Sequence, residues 1–63
     1  MANTVQEITH FAILDEEESI KFEIKGFDDG TVVIDGSSIG GCTPQDLKDI
    51  IVCLDKFKDR YFG

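Results

Sequence analysis

The side chains able to carry chemistry are few. His10 is the only histidine, Cys42 and Cys53 are the only thiols, and thirteen carboxylates make up most of the other reactive groups. Acid–base catalysis and metal binding need convergent partners, and nothing at recognisable spacing joins His10. One histidine and three serines offer no nucleophile–base–acid order to place. Paired glycosidase carboxylates need a deep cleft between them, which a chain of 63 residues rarely encloses. No catalytic, cofactor-binding or metal-binding motif is present, and enzyme activity is not expected.

The thiols do not pair. Cys42 directly precedes the strongest helix start in the chain, and Cys53 lies about 15 Å further along that helix. A disulfide requires alpha carbons within about 7 Å. Two free thiols fit a reducing cytoplasm. The helix N-terminus could favour a Cys42 thiolate, although the position equally suits a small hydrophobe closing the helix end. Cys53 borders the apolar stripe and reads as packing.

The carboxylates are unevenly distributed. Residues 1–42 carry nine acids against Lys21 and Lys25, a net of −7, whereas residues 43–63 hold four acids and four bases. Much of the excess falls on two turns, Asp15-Glu16-Glu17-Glu18 and Asp28-Asp29, at opposite ends of the expected sheet. Solvated turns that aid solubility would look like this, and so would a surface that steers a basic partner. Neither turn has the spaced ligands of a calcium loop.

The helix that organises the chain runs over about 43–62. Thr43 can cap it, Pro44 suits the first helical position, and Asp46 complements the dipole. Leu47, Ile50, Ile51, Leu54, Phe57, Tyr61 and Phe62 recur at helical spacing as one stripe. Upstream, Ile20, Phe22 and Ile24 alternate with Lys21, Glu23 and Lys25, the signature of a strand with one covered face. In residues 5–14, Thr9, Phe11 and Ile13 alternate likewise, although Val5, Ile8 and Ala12 would also align on a helix. Asp29-Gly30 and Asp35-Gly36 are tight-turn signals.

These elements define an α+β fold in one domain spanning residues 1–63. It is a small antiparallel β-meander of three or four strands, at about 5–14, 19–27, 31–35 and a candidate 37–39. One C-terminal α-helix packs on one face. Three strands spaced by about 4.8 Å present a face wider than one 10–12 Å helix covers. Apolar surface should therefore remain, and a homodimer is expected to cover it.

Residues 31–42, Thr31-Val32-Val33-Ile34-Asp35-Gly36-Ser37-Ser38-Ile39-Gly40-Gly41-Cys42, resemble the last hairpin of glutaredoxins. The resemblance implies an anion site at the helix N-terminus, where that family holds the carboxylate of glutathione. Val33 stands where the family has its cis-proline region. No Cys-x-x-Cys or Cys-x-x-Ser precedes it, and there is no room for the first βαβ unit.

The expected function is that of a small acidic, non-enzymatic interaction protein that binds and modulates or inhibits another macromolecule. A phage-type inhibitor in a host cytoplasm is its most concrete form. The candidate partner-binding residues are Asp15, Glu16, Glu17, Glu18, Asp28 and Asp29 on the turns and Tyr61 and Phe62 at the helix end. The partner is a protein with a basic surface; a net charge of −7 disfavours direct contact with nucleic acid or anionic membranes. No secretion signal or membrane span is read in the chain, and no cofactor is implied. The alternatives are a thiol- or glutathione-binding domain built on Cys42 and a self-assembling structural subunit.

Overall fold

The computed structural model describes residues 4–63. Strand β1 spans Glu7–Leu14, β2 Ile20–Phe27 and β3 Val32–Asp35; a 3₁₀ turn at Ser37–Gly40 leads to helix α1, Pro44–Tyr61. The strands form one antiparallel sheet in the order β1-β2-β3. The fold is the expected α+β arrangement, a meander followed by one helix. Residues 7–14 are strand and not helix, because the alternation of Thr9, Phe11 and Ile13 finds a matching partner in β2.

Register assigns the faces. Phe11 lies opposite Ile24, Ile13 opposite Phe22 and Thr9 opposite Gly26, while β3 places Ile34 opposite Ile24 and Val32 opposite Gly26. Opposed residues share a face, so all of these side chains lie on the face towards α1. Phe22, Ile24, Cys53 and Phe57 form the buried core, with Phe11, Ile13, Ile50 and Tyr61 packed around it.

The helix begins and ends as its sequence prescribes. Thr43 is extended, its hydroxyl accepts from the Asp46 amide, and Pro44 occupies the first turn. Asp46 near the N-terminus and Lys58 and Arg60 in the last turn complement the helix dipole. At the C-terminal end, Tyr61 stacks on Phe57 with ring centroids 5.0 Å apart and donates its hydroxyl to the Phe27 carbonyl. This locks the helix end to the end of β2.

Two expectations are corrected. Residues 37–39 are not a fourth strand. At Gly36, with φ of 128°, the backbone comes so near β2 that a Cβ would fall 2.6 Å from the Phe22 Cα. The chain then turns away through bonds from Ile39 to Gly36 and from Gly41 to Ser38, so β3 remains a free edge. The helix stripe is also narrower than its apolar pattern. Cys53 is buried at the β1 edge of the packed face, whereas Leu47, Ile51, Leu54 and Phe62 are exposed. The reason is placement: α1 lies mainly over β1, reaches β2 and leaves β3 largely bare.

Gly26 permits this placement. A Cβ there would strike the Tyr61 ring and come within 2.9 Å of Phe57 Cζ. Overpacking of this kind costs about 1–3 kcal/mol. The reduced freedom of an unfolded alanine returns only about 0.4–1 kcal/mol. Gly26→Ala is therefore expected to destabilise the fold by a net of about 1–2 kcal/mol, read as a lower urea midpoint in equilibrium unfolding followed by circular dichroism.

Candidate functional site

The β1–β2 turn is built by its first carboxylate. Asp15 accepts from the amides of Glu17 and Ser19, at 2.8 and 2.9 Å. Backbone bonds from Glu18 to Asp15 and from Asp15 to Ser19 close the loop, with Glu18 at a φ of 64°. A single carboxylate thus satisfies two turn amides. The next three, Glu16, Glu17 and Glu18, are exposed and have no ion-pair partner among the described residues. The two lysines of the sheet half are engaged elsewhere: Lys25 with Glu23 at 3.5 Å and Lys21 with Asp46.

Asp28 and Asp29 occupy the β2–β3 turn, at the other end of β2. Eight residues of strand separate the two turns, roughly 26 Å, so the six acids do not form one patch. Asp28 accepts from the Gln6 amide and Asp29 from the Thr31 amide, at 3.2 and 2.8 Å. The Thr31 hydrogen bonds hold the Asp29 carboxyl below its ordinary range. Asp29 therefore holds the turn itself, while Asp28 ties it to the segment ahead of β1. The aromatic pair at the helix end divides similarly. Tyr61 is half-buried in its clamp, while Phe62 is 71% exposed and meets the Tyr61 ring edge-on at 4.9 Å.

The reactive side chains are dispersed. His10 lies on the face of the sheet away from α1, with Glu23 at 3.4 Å and Glu7 at 3.9 Å. Cys42 is exposed ahead of the Thr43 cap, and Cys53 is buried on the sheet side of α1. Cys53 lines a shallow depression of about 350 Å³ between β1 and the helix, with Phe11, Ile13, Val52 and Lys56. Burial pushes its thiol pKa up, against a smaller opposing effect of Lys56. Desolvation of this kind suppresses the thiolate needed for nucleophilic chemistry. Among the described residues, no three His, Cys, Asp or Glu side chains are gathered as metal ligands.

One ion pair joins the sheet to the helix start. Lys21 reaches the Asp46 carboxylate, which also faces the Thr43 cap. The Lys21 hydrogen bond lowers the Asp46 pKa, and the same bond raises that of Lys21. The pair ties β2 to the N-terminus of α1, as Tyr61 ties it to the C-terminus.

The apolar surface expected to remain uncovered lies on β3 and one flank of α1. On the helix face of the sheet, Val32 and Ile34 of β3 are exposed, and Leu47, Ile51 and Leu54 of α1 are exposed as well. At 100° per residue the apolar positions of α1 span an arc of about 160°. That arc exceeds what one flat sheet contact needs, and it was the available signal in the sequence.

Comparison with protein-family models, curated proteins and solved structures returned no match to this chain. The β-β-β-α order also contains no βαβ unit, so the glutaredoxin resemblance extends no further than the segment around β3.

Among the described residues, no helix is long and apolar enough to cross a membrane.

Asp46 should make stability pH-dependent in a defined window. Its pKa is depressed from an ordinary value of 3.8, so its contribution is present above that value and lost as pH falls through the folded pKa. The difference in urea midpoint between the wild type and Asp46→Asn should therefore shrink steadily below about pH 4. An unchanged difference at pH 2.5 would remove the Lys21–Asp46 contribution.

Native-state labelling with an aromatic disulfide should modify Cys42 and spare Cys53 until denaturant is added, read by mass spectrometry. Equal labelling of both thiols in the native protein would contradict the burial of Cys53 between α1 and the sheet.

Proposed function

We propose that this chain is a small acidic, non-enzymatic interaction protein that binds and modulates another macromolecule. In its most concrete form it is an inhibitor of a host protein, of the kind phages encode. The partner is a protein with a basic surface, and the β1–β2 turn is its principal contact. One observation carries this reading: Glu16, Glu17 and Glu18 stand on a turn fixed by Asp15 and have no ion-pair partner among the described residues.

The backbone of this short, hydrogen-bonded turn loses little further conformational freedom on binding. The three glutamate charges remain available to attract lysines and arginines from a distance, which raises association rates at low salt. Asp28 and Asp29 would act as a second, distant contact, or only as turn-forming residues. Phe62 supplies an exposed aromatic anchor at the chain end. Compared with this, the Cys42 alternative has one exposed thiol and no gathered partner group.

The test pairs the wild type with Glu16→Gln/Glu17→Gln/Glu18→Gln, each immobilised and exposed to lysate of the source organism or its host. A basic protein retained by the wild type at low salt, and lost both at high salt and from the triple variant, is the expected result. A partner held equally by both proteins would reject the acidic turn as the contact. No specific partner in any wash would reject the inhibitor reading and favour a self-assembling structural protein.

A further inference from the structure

We propose that a second copy of this chain covers the face formed by β3 and the adjoining flank of α1, giving an isologous homodimer. The face follows from where the helix lies. Asp49, Val52 and Lys56 border a depression over β1, so they mark the β1 side of α1. At 100° per residue, Leu47, Ile51 and Leu54 fall on the opposite flank, towards β3. Beneath that flank, Val32 and Ile34 project on the helix side of the sheet without a helix above them. Ile51 and Ile34 remain 57% and 51% exposed. The result is an apolar step, one wall helix and one floor strand.

Three observations make a second copy the occupant. The first is the deficit of core. Four apolar side chains are buried in the described residues while thirteen large ones are exposed, and no side chain is completely enclosed. That ratio is poor for a domain that must fold alone at this size.

The second is area. The accessible surface is 4745 Å², against about 4,000 Å² for a compact monomer of 7.0 kDa. The chain thus has surface to spare for a standard stable interface, which takes roughly 800 Å² from each partner.

The third is charge. Two protomers of net charge −7 can associate closely only where their carboxylates stay apart. The acidic turns lie at the two ends of β2, and Glu23 and Asp35 are paired on the opposite face of the sheet. On its helix side the step is bordered by one salt bridge, Lys58 with Asp55 at 3.6 Å, so the charge at that margin is balanced. A two-fold axis across this face sets apolar wall against apolar floor in both directions, the self-complementarity an isologous contact requires. The acidic turns remain outside it, so this dimer stands or falls independently of the proposed basic partner.

Sedimentation equilibrium of the full chain, over roughly 1–300 µM, tests this with two neighbouring residues. Ile51→Glu places a charge on the β3 flank; Val52→Glu places the same charge on the β1 flank, where Val52 is equally exposed at 53%. The wild type and Val52→Glu are expected to be dimers, and Ile51→Glu a monomer or at least about 100-fold weaker. Native protection of Cys53 verifies that each variant is folded, and Leu47→Glu replaces Ile51→Glu should the latter unfold. A monomeric wild type would overturn the proposal, as would a dimer that survives Ile51→Glu and Leu47→Glu. Dispersal by Val52→Glu alone would assign the interface to the other flank and overturn it too. A monomeric wild type that binds a different protein through Ile51 would show that this face serves a heterologous partner.

Discussion

The close approach of α1 to Gly26 sets the position of everything else. Without a side chain at that point of β2, the Phe57 and Tyr61 rings settle directly on the strand, and the Tyr61 hydroxyl reaches the Phe27 carbonyl. Phe11 meets Phe57 edge-on at 6.5 Å from β1. The aromatic cluster therefore draws the helix towards β1 and β2. Lys21 and Asp46 hold the other end in line. A helix anchored at both ends over two strands cannot also cover the third.

The bare third strand connects the energetics of the fold to its proposed interactions. A chain of 63 residues has little apolar surface to spare, yet this one leaves Val32, Ile34, Leu47, Ile51 and Leu54 exposed. β3 is also an edge, and its four residues contain no proline or lysine to discourage pairing. Such an arrangement is economical if another surface completes it. The acidic turns lie away from this face, which would allow one side of the molecule to assemble and its ends to recruit.

The carboxylates divide by what their neighbours do. Asp15, Asp28 and Asp29 each accept turn or chain-end amides, and Asp46 combines helix start and ion pair. Glu16, Glu17 and Glu18 have no such engagement among the described residues. A short side chain reaches the backbone two residues on, whereas the longer glutamate loses that local geometry and extends into solvent. The same acidic run thus contains one structural residue and three available ones. This partition is visible from side-chain length, but the hydrogen bonds that establish it required the turn geometry.

What the sequence by itself determined is the identity of the elements. The alternation in β1 and β2, the Asp29-Gly30 turn and the Thr43-Pro44 helix start are local signals, each decided by residues within a few positions. So was the separation of the two acidic turns, which follows from their places before and after β2. Only the tertiary structure decided which apolar residues of α1 are core. Leu47, Ile51 and Leu54 share the helical period with Ile50 and Phe57, and period alone cannot say where along a wide arc the sheet makes contact. That choice is made by the gap at Gly26, far from the helix in sequence. The 3₁₀ turn at 37–40 has a similar origin: Ser-Ser-Ile is acceptable in a strand, but the approach of Gly36 to the β2 backbone turns the chain away. Long-range sterics, which no local pattern encodes, settled both.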